Sequence, residues 1–471
     1  MAGTPGDDDD GLAAALERAL LHARTWAASV AGRRVPAAGT ADAAAIRLGL
    51  ELPAAGLPPA EVVDRLAAAV EPGLMANASG RFFGWVMGSA LPAAVAADWL
   101  VSAWDQNAGM RAATPGVIGV EDVAAAWLLD LLGLPAASTV GFTTGATTAN
   151  FTCLAAARGR VLAEAGWDVA VAGLTGAPPV HVLAGEERHG SVDLALRYLG
   201  LGAPATVVVD GEGRLEVGAL RAALAERDGP TIVCLQAGNL HSGAFDPFPA
   251  AVEAARAVGA WVHVDGAFGL WAAVTPRLAA LTHGMARAHS WATDAHKTLN
   301  TPYDGGIAVV ADPEATRTAM GLHASYLLDS VAADPHESVP ELSRRARGVP
   351  IWAALASLGA DGVRALVEGL VAAARDLADG IAGIPGATVV NRVDYTQVCV
   401  AFESDERTAA VYQRILAEGE IMPSPSVWHG RVVIRFSVSS FRTGPAEVRD
   451  AVAAVARAAA AVPAEAASMH A

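Results

Sequence analysis

Lys297 lies in the stretch HSWATDAHKTLNTPYDGG, residues 289–306. The apolar run over 288–293 reads as a strand, Asp294-Ala295-His296-Lys297 follows as a turn, and Gly306 opens a second strand, GIAVV. An amine delivered by a strand end among small and apolar neighbours is poorly solvated, which favours its neutral, nucleophilic form. The plain alternative is a surface lysine at a strand end. Upstream, Asp265 ends the apolar run of HVDGAFG. It reads either as a helix N-cap or as a buried carboxylate that holds a heteroaromatic N–H⁺ by a charge-assisted hydrogen bond, with Ala267 offering a methyl surface to the ring. His189 opens HGSVDLALRYLG, as a capping residue or as a flat ring that stacks on a flat cofactor. Earlier still, GFTTGATTANFTCLAAAR (141–158) joins a strand to a helix through small residues. The N–H groups of Gly145, Ala146 and Thr147, with the positive end of the helix dipole, form a cradle for phosphate, and Thr144 and Thr147 add hydroxyls. Turns of this composition also occur as plain turns, and neither GxGxxG nor GxxxxGK[ST] is present.

Seven β-branched or apolar runs separate these groups: 138–142, 180–183, 206–209, 231–236, 261–264, 289–293 and 306–310. They alternate with helical patterns and several are apolar on both faces, which argues an α/β fold with a mostly parallel sheet covered on both sides. Ligands of such sheets sit at the carboxyl ends of the strands, where His189, Asp265 and Lys297 all fall. Residues 1–11, with four consecutive aspartates, are expected to be a disordered tail, and residues 12–92 a helical arm with helices over 12–31 and 59–70 joined by a Pro/Gly/Ala connector. Residues 93–349 form the large sheet domain. The stretch 329–350 reads as a mobile loop, and 350–471 as a small α+β domain with strands ATVVN, TQVCVAF and VVIRFSV.

Composition narrows the partners. The chain of 471 residues is 53% hydrophobic, yet no run of 18 apolar residues occurs, so no membrane span is expected. A formal charge of −16 without a clustered basic stripe opposes nucleic acid. Cys153, Cys234 and Cys399 are far apart and each sits in an apolar segment, which makes neither a disulfide framework nor a metal site. The opening MAGTPGDDDD lacks the basic-then-apolar order of a secretory signal, so a reducing cytoplasm is the expected compartment.

A phosphate cradle, a stacking histidine, an aspartate after a strand and a strand-end lysine, in that chain order, together specify pyridoxal 5′-phosphate. The sequence resembles the group II pyridoxal-phosphate-dependent decarboxylases, the family of the aromatic-amino-acid, histidine and glutamate decarboxylases. TTGATTAN is similar to the family's TSGGTEAN-type loop, HGS to its H-x-S, HVDGA to its HVDAA, and DAHKTLNTPYDGG to its PHKW…D-C motif. The resemblance runs from about Gly80 to near the C-terminus. It implies a PLP-dependent transferase fold of type I and a homodimer with a composite site, in which the arm wraps the partner and Asp304-Gly305-Gly306 reaches the neighbouring site. It implies that Lys297 forms the Schiff base, Asp265 keeps the pyridine nitrogen protonated, His189 stacks on the ring and His296 positions the lysine. Asn239, Asp294, Gly305 and Gly306 are further expected cofactor contacts. The implied reaction is decarboxylation of an L-amino acid to an amine.

Departures from the family pattern keep other outcomes open. The family loop after the lysine commonly carries a tyrosine that protonates the carbanion, whereas DSVAADPHESVPELSRR (329–345) has none and leaves His336 as the expected donor. Thr148 stands where an acidic residue is common, and Asn239-Leu240 where Thr-Thr is common. Oxygen-dependent decarboxylation–deamination to an aldehyde, retro-aldol cleavage, transamination and a non-catalytic paralogue remain as alternatives. For substrate, Phe83 and Trp85 in RFFGWVMGSALP and Trp104 in WDQN read as an aromatic pocket or as core. Arg435, or the run Arg344, Arg345 and Arg347, is placed to meet a carboxylate. An aromatic or bulky apolar amino acid is the expected substrate.

Overall fold

The computed structural model describes residues 9–322 and 333–463. Within them the seven expected strands form one sheet: β1 (Thr139–Thr143), β2 (His181–Gly185), β3 (Ala205–Val207), β4 (Thr231–Gln236), β5 (Trp261–Asp265), β6 (Ser290–Asp294) and β7 (Gly306–Val310), in the order β1-β7-β6-β5-β4-β2-β3. Strands β2 to β6 run parallel to their neighbours among themselves, while β7 runs antiparallel to both β6 and β1. Every residue of β5, β6 and β7 is buried, as a sheet covered on both faces requires. The reversal of β7 matters for the site. It brings the first residue of β7, Gly306, opposite both Asp294 and Thr143, so that β7 starts where β6 and β1 end.

Before the sheet come helices α1 (Asp9–Ser29), α2 (Ala41–Leu48), α3 (Pro59–Val70), α4 (Pro92–Trp104) and α5 (Pro115–Leu131), and α6 (Ala146–Glu164) follows β1. Two of these depart from expectation. Helix α1 reaches back to Asp9, into the run expected to be disordered, because acidic residues suit the positive end of a helix dipole; residues 1–8 of that run lie outside the described residues. Helix α2 occupies the expected connector, where the Thr40 hydroxyl accepts the Ala43 N–H and supplies the cap that an Ala-rich segment needs to start.

A second sheet, β8 (Thr388–Val389), β9 (Gln397–Ala401), β10 (Ser424–Trp428) and β11 (Arg431–Ser437), is antiparallel in the order β10-β11-β9-β8. Strand β10 was not expected from the sequence, since SPSVW contains a proline. It lies at the sheet edge, where a missing ladder donor is tolerated. The expected loop lies partly outside the described residues, over 329–332. Its described part holds a short turn, Pro335–Glu337, and then enters the long helix Gly348–Ala382, which begins two residues before the helix expected from Pro350.

The basic run expected as a carboxylate site is structural. Arg344 is buried and bonds both oxygens of the buried Glu121, at 2.7 and 2.8 Å, as well as the carbonyls of Ala108 and Phe142. Arg345 pairs with Asp98 and Arg347 with Asp304. Glu121 also accepts the Gly348 N–H, so one carboxylate ties α5 to the start of the long helix. Replacing Glu121 with alanine strands a buried guanidinium and is expected to lower the unfolding free energy by about 3–5 kcal/mol. Urea unfolding followed by tryptophan fluorescence measures the change.

Candidate active site

The lysine turn is held from several sides. Asp294, the last residue of β6, is buried, and its Oδ1 accepts the Ala146 N–H at 2.6 Å while its Oδ2 lies 2.8 Å from Lys297 Nζ. Helix α6 therefore begins on a buried carboxylate, which suits the positive end of its dipole. Gly306 has no room for a side chain, because a Cβ there would come within 2.4 to 2.7 Å of the Gly145 backbone. The start of β7 thus packs directly against the cradle. His296 Nδ1 accepts the Gly305 N–H at 3.2 Å, and the ring stacks on Tyr303 with centroids 4.2 Å apart. Burial lowers the His296 pKa from its ordinary value, opposed by the charge of Asp294, so its neutral form accepts from Gly305. Burial also pushes the Tyr303 phenol up to about 12. The sequence led us to expect Lys297 as a poorly solvated amine; the structure leaves it partly exposed and sets the Asp294 carboxylate beside it.

Lys297, Asp265, His189, Ala267 and Arg435 line one cavity of about 230 Å³, with Trp85, Val86, Leu240 and Phe268 as its apolar walls. Gln236 and Gly238 complete it. Asp265 projects from the end of β5, where Oδ1 accepts the Ala267 N–H at 3.1 Å and Oδ2 accepts from Asn150 at 3.1 Å. His189 caps the helix Gly190–Tyr198, its Nδ1 accepting the Ser191 N–H, and it also lines the cavity. Trp85 and Val86 arrive on a segment that crosses the lysine turn. A Cβ on Gly88 would stand 2.1 Å from the Lys297 carbonyl, and the Gly88 N–H bonds the His296 carbonyl.

Other expected site residues lie elsewhere. Phe83 is fully buried and packs edge-on against Phe436 in the core of the second sheet, so it is not a pocket wall. Trp104 is half exposed at the end of α4 and does not line the cavity. Asn239 also lies off the cavity: it shapes its own turn by accepting the N–H groups of His241 and Ser242, and it donates to Glu187. His336 is buried with its backbone on Gly109; it does not line the cavity, and its Nδ1 has no partner among the described residues. Thr144 and Thr148 share a hydrogen bond at 2.9 Å, and Thr147 sits in the first turn of α6. Gly305 and Gly306 back this chain's own cradle. Gln236 was missed, although it is the last residue of the expected strand TIVCLQ and lies opposite Asp265 in the sheet. Among the described residues no cluster could hold a metal ion, and no helix is long and apolar enough to cross a membrane.

An anion cradle at a helix start, an amine beside it and a carboxylate across the same cavity, all at one edge of a mostly parallel sheet, define a fold type I pyridoxal-phosphate enzyme. The chain matches the pyridoxal-dependent decarboxylase conserved domain over residues 46–403 and belongs to that family. It is 26% identical over 425 residues to tryptophan decarboxylase 1 of Oryza sativa subsp. japonica, covering 83% of this chain and 82% of that one. It is 33% identical over 288 residues to L-2,4-diaminobutyrate decarboxylase of Rhizobium meliloti (strain 1021), covering 58% and 55%. The crystal structure of Oryza sativa TDC with PLP and tryptamine superposes with a TM-score of 0.89 at 24% identity, covering 98% of this chain and 99% of that one. Pyridoxal phosphate is accordingly its cofactor, and the residues in place fit it. Ala146 and its neighbours would take the phosphate, Lys297 the aldehyde, Asp265 the ring nitrogen, and His189 and Ala267 the two ring faces.

Asp294 qualifies that fit, because its carboxylate already occupies the first amide of the cradle. Two like charges a few ångströms apart repel by on the order of 4 kcal/mol at an effective dielectric of 20, part of which the Lys297 ammonium offsets. D294N is therefore expected to bind inorganic phosphate roughly tenfold more tightly than the wild type in the cofactor-free state. Isothermal titration calorimetry reads the difference, and equal affinities would show that the carboxylate does not oppose the anion.

Proposed function

We propose that this enzyme decarboxylates an L-amino acid with an aromatic or bulky apolar side chain, giving an amine and CO₂. The observation that carries this reading is Arg435, which lines the cavity with Lys297 and is only 5% exposed. One of its terminal nitrogens donates to the carbonyls of Trp85 and Leu240, both at 3.1 Å, and its Nε has no partner among the described residues. No carboxylate pairs with it there, and burial lowers its pKa from the usual arginine value. A buried cation without a counter-charge favours an anionic ligand, and an amino acid's carboxylate supplies one in a shape that a guanidinium grips on two atoms. The remaining walls, Trp85, Val86, Leu240 and Phe268, suit an apolar side chain.

Bound pyridoxal phosphate supplies an electron sink for the pair that departing CO₂ leaves behind. The protein supplies orientation. Arg435 holds the carboxylate so that the bond to the α-carbon stands across the ring plane, the geometry in which that bond breaks. Asp265 keeps a proton on the ring nitrogen, and His189 and Ala267 exclude water from the two faces.

The chain also reads as a homodimer in the cytoplasm. Leu12, Leu16, Leu20 and Leu21 of α1, and Trp99, Leu100 and Trp104 of α4, expose apolar surface that a second copy would cover. His336, expected as the proton donor, does not line this chain's cavity, and a composite site would bring it to the partner's. All three cysteines are free and buried, which suits a reducing compartment. Sedimentation equilibrium is expected to give twice the chain mass, and L16E/L20E to shift it toward the single chain.

A second reading rests on the absence of tyrosine from residues 329–345: the amino acid, oxygen and water would give aldehyde, CO₂, ammonia and hydrogen peroxide, with oxygen taking the two electrons. Loaded enzyme incubated with pooled amino acids, with and without air, separates the two. Oxygen-independent amine and CO₂ support the proposal, and peroxide with aldehyde only in air replaces it. R435Q is expected to lower kcat/KM by roughly a hundredfold, about 2–3 kcal/mol, with a fall in kcat as well as a rise in KM.

A further inference from the structure

Asp265 directly, and His189 through Ser191, are linked to one buried residue that the chemistry above does not use. Asn150, fully buried in the first turns of α6, places Nδ2 3.1 Å from Asp265 Oδ2 and 3.2 Å from Ser191 Oγ. Its Oδ1 lies 2.9 Å from Nε2 of His263, which is also fully buried. His263 Nδ1 lies 2.9 Å from Ser290 Oγ, and the Trp261 indole N–H reaches the same oxygen at 2.9 Å.

The direction of every bond in this chain follows from the ends. An indole N–H can only donate, so Ser290 Oγ accepts it and keeps one hydrogen and one lone pair for His263 Nδ1. The choice between these is made at the Asp265 end, where the Asn150 amide must donate. The ring hydrogen of His263 then sits on Nε2 and goes to Asn150 Oδ1. Both amide hydrogens of Asn150 are left facing the other way, one for Asp265 and one for Ser191. The reverse orientation would set the Asn150 carbonyl against the Asp265 carboxylate, two acceptors with no hydrogen between them. Burial presses the His263 pKa down to about 4 despite the charge of Asp265, so the ring is neutral and has one donor and one acceptor to give. The far branch ends at His189, whose Nδ1 receives the Ser191 hydroxyl at 2.8 Å and the Ser191 N–H at 3.2 Å, which leaves its ring hydrogen on Nε2.

We propose that Asn150, oriented by the Nε2–H tautomer of His263, is a positioning residue that sets the Asp265 carboxylate for the cofactor's ring nitrogen. The proposal rests on the reading of Asp265 as that nitrogen's partner, and two readouts keep the two apart. The first needs no cofactor: in full-length protein labelled with ¹⁵N-histidine, His263, assigned by loss of its signal in His263→Gln, is expected as the Nε2–H tautomer. An Nδ1–H tautomer overturns the proposal; the tautomer is read on the wild type, and His263→Gln, the mildest of the variants, serves only to assign the signal.

The second readout is a titration with pyridoxal phosphate, followed by the visible absorption of the bound cofactor. His263→Gln puts an amide nitrogen near the place of Nε2 and keeps a donor to Asn150, whereas His263→Phe fills the space without one. His263→Phe and Asn150→Leu are expected to weaken binding roughly tenfold and to shift the band, while His263→Gln stays within about threefold of the wild type. Equal behaviour of the Gln and Phe variants overturns the proposal. Asp265→Ala is the reference: an unchanged affinity and band in that variant would defeat the reading of Asp265 itself and leave the tautomer result standing.

Discussion

The carboxylate of Asp294 is the tie on which the site depends. It bonds at once to the first amide of α6 and to the Lys297 amine, and so joins the helix that follows β1 to the turn that follows β6. Neither group has another charged partner at that edge of the sheet. Without the tie, the first amide of α6 would lose its partner and the partly buried lysine its carboxylate. The reversed strand β7 completes the arrangement from behind, because its glycine start fits flat against the same helix. One anion and one missing side chain thus set the relative position of cradle and amine.

The large sheet was readable from the sequence because its strands are short β-branched runs separated by helical periods, a pattern that periodicity reports directly. The small sheet was harder. Strand β10 contains a proline and alternates in burial, so its existence depends on lying at an edge, a tertiary fact with no local trace. Within the site, Lys297, Asp265, His189 and Ala267 were legible because the chain delivers each from a strand end or a helix start. Phe83 and Trp85 show the limit of such reading. The two stand two positions apart in one aromatic cluster, yet one fills the core of the second sheet and the other walls the cavity. Asn239 failed for a related reason. A short polar side chain near a site serves equally well as the scaffold of its own turn, and hydrogen bonds to His241 and Ser242 claim it for that role.

The cavity draws on both sheets. Lys297, Asp265 and His189 come from the large one, whereas Arg435 comes from β11 of the small one. The two are bridged by the segment carrying Trp85 and Val86, whose backbone bonds Ser424 on one side and whose neighbour Gly88 bonds the lysine turn on the other. The lysine and aspartate side of the cavity and its arginine side are therefore built on separate sheets and brought into register by one strap of chain.

Trp85 occupies the left-handed backbone region, with φ of 50°, and its carbonyl is turned toward the Arg435 guanidinium and the Ser437 hydroxyl. A bulky residue in that conformation costs on the order of 1–3 kcal/mol, which glycine would not incur. Tryptophan and glycine codons are separated by a single base. The aromatic wall of this cavity is thus one nucleotide from an open one that keeps the carbonyl in place and relaxes the backbone. At Trp85, then, enlarging the cavity and relieving the backbone are the same substitution.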